Sequence, residues 1–270
     1  MVRTAISEKA DIIFSGAGLP LDLPSYLRED STTKLVPIVS SARAARVICE
    51  KWKANYDYLP DALVVEGPKA GGHLGYKREQ IDNADYSLER IVPEVVSEVG
   101  RYEELYGRRI PVIAAGGLYT GEDIYRIMRL GATGVQLGSK FVTTEECDAS
   151  PTFKQTYIDS SKDDIEIIAS PVGMPGRAIG GEFIRRVKEG LMRPKKCPFH
   201  CIKTCDYTKS PYCIIMALYN AAKGNLSKGY AFCGANAYMS KKITSVRETI
   251  ESLKSEFAAA CRRNGQTAVL

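Results

Sequence analysis

Short apolar runs, each closed by a glycine or serine turn, recur along the first half of the chain. They fall at residues 11–14, 35–39, 62–65, 110–115 and 134–137, and the turns that follow carry Gly16 and Gly18, Ser40 and Ser41, Gly67, Gly116 and Gly117, and Gly138. Apolar runs of this length bounded by turn residues read as buried strands. Between them the period changes. Residues 41–56, 87–105 and 122–130 carry apolar side chains at helical spacing, and Thr120 with Asp123 makes a capping-box pattern ahead of the third. Strand, turn and helix repeated in this way predict parallel βα units, an α/β fold. A doubly wound sheet could be written with the same letters, but no G-x-G-x-x-G opens a helix after a strand. No short fixed period points to a solenoid.

The second half reads differently. Residues 143–190 are polar, and the Gly/Pro-rich stretch 170–177 reads as a loop over a site or as a plain connector. Cysteines crowd residues 197–213, and residues 212–223 predict a short apolar helix. A last helix is expected over 245–262, opened by a Ser245/Glu248 capping box, with Val246, Ile250, Leu253 and Phe257 on one face. The expected organisation is a βα domain over 1–142, a loop and cysteine-rich segment over 143–242, and a C-terminal helix over 243–270 that packs back on the first domain.

Composition narrows the class. The 270 residues are 44% hydrophobic, enough for a real core. The net charge of +5 is scattered, and Arg193-Pro194-Lys195-Lys196 is a short cluster, so no nucleic-acid stripe is present. The first residues hold no apolar signal core and no run reaches membrane-spanning length, so no membrane association is expected and the cytoplasm is the expected location. In that compartment the eight cysteines are expected as thiols or metal ligands rather than disulfides.

Three constellations carry candidate chemistry. The first is Glu66-Gly67-Pro68-Lys69-Ala70-Gly71-Gly72-His73-Leu74-Gly75, a strand end with a glycine pair and one of only two histidines. Paired glycines let backbone pass close to a bulky group, and an imidazole exchanges protons near neutral pH. The plain alternative is a tight turn with a solvated histidine. The second is the pair of turns Gly116-Gly117 and Gly138-Ser139 at consecutive strand ends, where bare backbone N–H groups and a hydroxyl suit a phosphate. The third is Cys197-x3-Cys201-x3-Cys205-x7-Cys213, spaced to put thiols on one face of a helix. It fits neither a zinc knuckle nor a ferredoxin run, so the cysteines read either as ligands of a metal or iron–sulfur group or as packed thiols.

With these turns in place the chain resembles the nitronate monooxygenase (2-nitropropane dioxygenase-like) family. The match rests on Glu66-Gly67-x-x-Ala70-Gly71-Gly72-His73-x-Gly75, on Pro111-Val112-Ile113-Ala114-Ala115-Gly116-Gly117, on Gly134-Val135-Gln136-Leu137-Gly138-Ser139-x-Phe141, and on Glu145-Glu146-Cys147. The resemblance implies an FMN-dependent (β/α)₈ TIM barrel. It implies His73 as catalytic base and cofactor contacts from Glu66, Gly71, Gly72, Gly116, Gly117, Gln136, Leu137, Gly138 and Ser139. The implied reaction is oxidation of alkyl nitronates or nitroalkanes. An FMN- and NAD(P)H-dependent enoyl-thioester reductase shares the Gly-Gly-His turn and stays open. So does an inactive fragment whose Cys197, Cys201, Cys205 and Cys213 bind metal. The expected partner is a small molecule, a nitronate or an acyl thioester, with a homodimer left open. The family's opening strand and Gly-Gly-Met turn have no counterpart here, and the first strand matches the family's fourth. The chain is therefore expected to hold only strands four to eight of the barrel, with a helical cysteine-rich insert before the last helix. On that expectation the 270 residues fold poorly or bind FMN weakly alone.

Overall fold

The computed structural model describes residues 1–201 and 205–265. The tail of the expected C-terminal segment, 266–270, and residues 202–204 of the cysteine-rich segment lie outside the described residues. In chain order the elements are α1 (Val2–Ser7), β1 (Ile12–Ser15), β2 (Lys34–Val39), α2 (Ala42–Tyr56), β3 (Leu63–Glu66), β4 (Gly72–His73), α3 (Leu88–Tyr106), β5 (Val112–Ala115), α4 (Gly121–Arg129), β6 (Gly134–Gln136), α5 (Ser139–Val142), α6 (Pro151–Asp159), β7 (Ile165–Ala169), β8 (Pro175–Ile179), α7 (Glu182–Lys188), α8 (Ile214–Ala222) and α9 (Val246–Arg263). Two compact units result. The first comprises Met1–Pro68, Glu79–Leu118 and Glu122–Gln136, and the second Lys69–Arg78, Tyr119–Gly121 and Leu137–Leu270.

The first unit is built on a five-stranded parallel sheet in the order β1-β2-β3-β5-β6. The order follows the chain without reversal, as in an arc of a barrel and unlike a doubly wound sheet. All five expected strands are present. Leu63, Val64 and Val65 of β3 are fully buried, which is why they read as a continuous apolar run rather than an alternation. One face of the sheet carries Val36, Val64 and Ala115 in one cluster. Ala45, Ile48 and Trp52 of α2 and Ile91, Val92, Val95 and Val99 of α3 are buried as well. Each such aliphatic side chain contributes roughly 1.5–3 kcal/mol. The Ser41 hydroxyl caps α2 by accepting from Ala44 N at 3.2 Å, and Arg46 forks onto Glu98 at 2.9 and 2.8 Å to tie α2 to α3.

The second unit holds an antiparallel sheet, β4-β8-β7. It corrects the reading of 170–177 as loop: Pro175, Gly176 and Arg177 are strand, and the hairpin turn is confined to residues between Ser170 and Met174, closed by Ser170 N to Met174 O at 3.1 Å. Period-two patterning of Ile165 and Ile167 is short, and Pro175 and Gly176 mimic loop punctuation, so the hairpin was masked. Phe183, Tyr212, Tyr230 and Ala178 form one core of this unit, and Tyr157, Ile179, Ala231 and Cys233 another. Helix α9 begins with the expected capping box, Ser245 with Glu248. Gly121 packs on it so closely that a Cβ would lie 2.3 Å from Leu253 O.

The expected one-face helix of thiols is not found. Cys197, Cys201 and Cys205 lie outside any helix, and Cys213 is the N-cap of α8. Pro198 directly follows Cys197 and disfavours the helical backbone there.

Candidate active site

Three strand ends of the first unit come level. Glu66 on β3 pairs in register with Ala115 on β5, and Ala115 pairs with Gln136 on β6. Gly116 and Gly117 follow at once with φ of 95° and 79°, a consecutive left-handed turn that side chains disfavour. Burial raises the Glu66 carboxyl to about 7, so it exchanges its proton near neutral pH.

The second unit carries the histidine. His73 does not sit on a free turn. It is the end of β4, paired with Gly176 of β8. Its Nε2 lies 2.7 Å from Ser170 Oγ, and its ring meets Phe232 edge-on with centroids 5.0 Å apart. Burial lowers its pKa below 6.5. Ser170 Oγ also accepts from Val172 N at 3.4 Å, and nearby the Tyr212 hydroxyl lies 3.1 Å from that of Tyr230. Arg177, buried on β8, donates from a guanidinium N to Ala70 O at 2.8 Å and so holds the loop ahead of the glycine pair.

The two glycines of that pair are glycines for different reasons. A Cβ on Gly71 would stand 2.6 Å from Cys233 C and 2.7 Å from Gly234 N. The bulky group expected beside it is the chain's own backbone. Gly72 has φ of 77° and open space where a Cβ would be. Ser139 joins the same neighbourhood: its Oγ accepts from Gly234 N at 2.8 Å. Leu137 and Gly138 lead into α5, and a Cβ on Gly138 would meet nothing within 4 Å. Sequence reasoning missed Ser170, Arg177, Phe232 and Tyr212. The only trace of them was the Gly/Pro-rich stretch, read as a loop over a site.

The four clustered cysteines line one cavity of about 240 Å³ in the second unit, with Tyr207 and the hairpin residues Pro171, Val172 and Gly173. Among the described residues no three His, Cys, Asp or Glu close to the spacing of a single metal ion. Nor, among them, is any helix long and apolar enough to cross a membrane.

A parallel sheet in chain order, with bare glycine turns at the C-terminal ends of its strands, defines an α/β fold whose ligand side is that edge. The nitronate monooxygenase family model matches residues 1–256, and the chain belongs to that family. A probable nitronate monooxygenase of Staphylococcus saprophyticus is 33% identical over 138 residues, covering 50% of this chain and 36% of that relative. FabK from Thermotoga maritima is 26% identical with a TM-score of 0.73, covering 98% of this chain and 73% of that one. A nitroalkane oxidase from Streptomyces ansochromogenes shares the fold, with a TM-score of 0.69 at 21% identity over 98% of this chain and 68% of that one. These structural neighbours are of the TIM-barrel type. The chain spans less than half the length of the curated relatives it matches, 36% of one and 49% of another.

Proposed function

We propose that the chain belongs to an FMN-dependent oxidoreductase of alkyl nitronates or nitroalkanes, with His73 as its base. The observation that carries the reading is the His73 imidazole of a nitronate monooxygenase family chain, half-buried, held by Ser170 and lowered in basicity so that it stands neutral at pH 7.

The residues present fit the cofactor. Gly116 and Gly117 offer backbone N–H groups in a left-handed turn, and Gly138 leaves its Cβ side open. Ser139 accepts from Gly234 N and keeps its own proton to donate to a phosphate oxygen. Glu66, Gly71, Gly72, Gln136 and Leu137 are the further contacts. With its carboxyl at about 7, Glu66 either donates to or accepts from the polar edge of a ring. The chemistry that FMN supplies when bound is one-electron oxidation of the nitronate and delivery of that electron to dioxygen.

The chain's own residues handle the proton. Ser170 has one hydroxyl hydrogen. Its oxygen already accepts from Val172 N, and accepting from His73 Nε2–H as well it leaves the lone pair on Nδ1. Nδ1 takes the proton from the carbon bearing the nitro group: that C–H bond breaks, an N–H bond forms, and the electron pair stays on the nitronate. A substrate supplied as nitronate needs no such transfer. The five strands are read as strands four to eight of a barrel, a reading supported by their parallel chain order and by β1 as an edge strand with Ile12 and Phe14 exposed. Comparing oxygen uptake of the wild type and His73→Ala tests the base. Loss of nitroalkane turnover with nitronate turnover largely kept supports it, and equal nitroalkane turnover in both refutes it.

A further inference from the structure

Seven of the eight cysteines divide into two groups, and Cys147, half-buried, stands in neither. Cys49, Cys233 and Cys261 are buried at 0%, 3% and 4% exposure and behave as small core residues. Cys197, Cys201, Cys205 and Cys213 are not core residues: Cys201 and Cys205 are exposed, Cys197 and Cys213 half-buried, and all four line the same cavity. Packing therefore does not account for the second group. Four soft thiols facing one space are a ligand set.

We propose that Cys197, Cys201, Cys205 and Cys213 ligate an iron–sulfur cluster of the four-iron, four-sulfide type. A single zinc ion with bonds of about 2.3 Å would draw its four sulfurs to within roughly 4 Å of one another. Among the described residues no three of these groups are placed to hold a single metal ion. A polynuclear core spaces its thiolates more widely and needs room between them, and the cavity of about 240 Å³ supplies it. The scaffold suits a group of net negative charge. Lys196 lines the cavity. Cys213 is the N-cap of the nine-residue α8, where the helix dipole favours a thiolate. Two ferrous ions, two ferric ions and four sulfides would make a core of charge +2, on which four cysteines lose their protons to solvent and their thiolates replace four solvent ligands, one per iron. Because Val172 and Gly173 form part of the wall, the cluster braces the hairpin turn that follows Ser170.

This inference stands apart from the flavin reading, and iron is measured without turnover. The full chain is reconstituted anaerobically with equal amounts of ferrous and ferric iron and with sulfide, which together make a core of charge +2, then desalted. Iron, acid-labile sulfide and zinc are counted per chain, and the dithionite-reduced sample is examined by electron paramagnetic resonance. The expected result is about four iron and four sulfide per chain with a reduced-cluster signal. Cys201→Ser, an exposed position whose change leaves the fold intact by circular dichroism, is expected to lose most of the iron, and Cys147→Ser, outside the cavity, to keep it. Iron below one per chain in the wild type overturns the proposal. So does full iron in Cys201→Ser, or stoichiometric zinc without sulfide.

Discussion

Replacing Gly71 with alanine asks the chain to house a methyl group where backbone already stands. The new carbon would lie 2.6, 2.7 and 2.9 Å from Cys233 C, Gly234 N and Cys233 O. Ordinary carbon contact begins near 3.5 Å, so the facing segment must retreat by about 0.9 Å. It is not free to do so. Cys233 N donates to Arg177 O at 3.0 Å, and Ala235 N to Lys69 O at 3.0 Å. Gly234 N donates to Ser139 Oγ at 2.8 Å. Overpacking against such a wall costs typically about 1–3 kcal/mol, and loosening one of these bonds adds about 1 kcal/mol, so Gly71→Ala is expected to destabilise the second unit by about 2–4 kcal/mol. Gly72→Ala is the control. Its methyl meets open space but sits at φ of 77°, a left-handed conformation that costs about 1 kcal/mol. Urea unfolding followed by far-ultraviolet circular dichroism measures both. A loss for Gly71→Ala below about 0.5 kcal/mol, or smaller than that for Gly72→Ala, would refute the packing argument.

Three further outcomes follow from the same geometry. Ser170→Ala removes the bond that fixes His73 Nε2 and is expected to lower kcat for a nitroalkane about five- to tenfold, the worth of one hydrogen bond, with KM little changed. The acid limb of its pH profile should move down, because the accepting oxygen also stabilises the imidazolium, and an unmoved limb would assign Ser170 a purely structural role. Glu66→Gln tests the raised carboxyl. The folded state holds a proton from the ordinary 4.5 up to about 7, so wild-type stability falls as pH rises through that window, by at most about 3 kcal/mol and by about half that for a partly solvated group. Urea midpoints for Glu66→Gln should lack this slope, and parallel pH curves would show that the carboxyl is not shifted. Arg177→Met keeps the bulk of the buried side chain but drops its bond to Ala70 O, and should cost about 2 kcal/mol in the same urea assay, whereas a neutral change would mean the loop is held by packing alone.

The parallel sheet was legible because its central strands, β2, β3 and β5, are buried on both faces. Leu63, Val64 and Val65 form an unbroken apolar run, and Gly116 and Gly117 mark where β5 stops. Helix starts were legible where a capping hydroxyl directly precedes a helical period, as at Ser41 and Ser245. The hairpin was not, because β8 opens with Pro175 and Gly176. Proline is tolerated as the first residue of the strand, and Gly176 leaves room for the Phe232 ring, which a Cβ would meet at 2.8 Å. His73 and the glycine pair were found as local motifs. Their supports were not, since Ser170 and Arg177 meet residues 97 and 107 positions away. No local period encodes a contact of that span. The thiol spacing was readable and the helix inferred from it was not, because Pro198 breaks the local geometry.

The most direct test of the flavin reading is anaerobic mixing of the full chain, saturated with FMN, with an alkyl nitronate and separately with NADPH, following flavin absorbance against a blank of FMN alone. The account predicts rapid bleaching by the nitronate, faster than the blank, and none by NADPH. Bleaching by NADPH with the nitronate silent would contradict it and assign the chain to enoyl-thioester reduction.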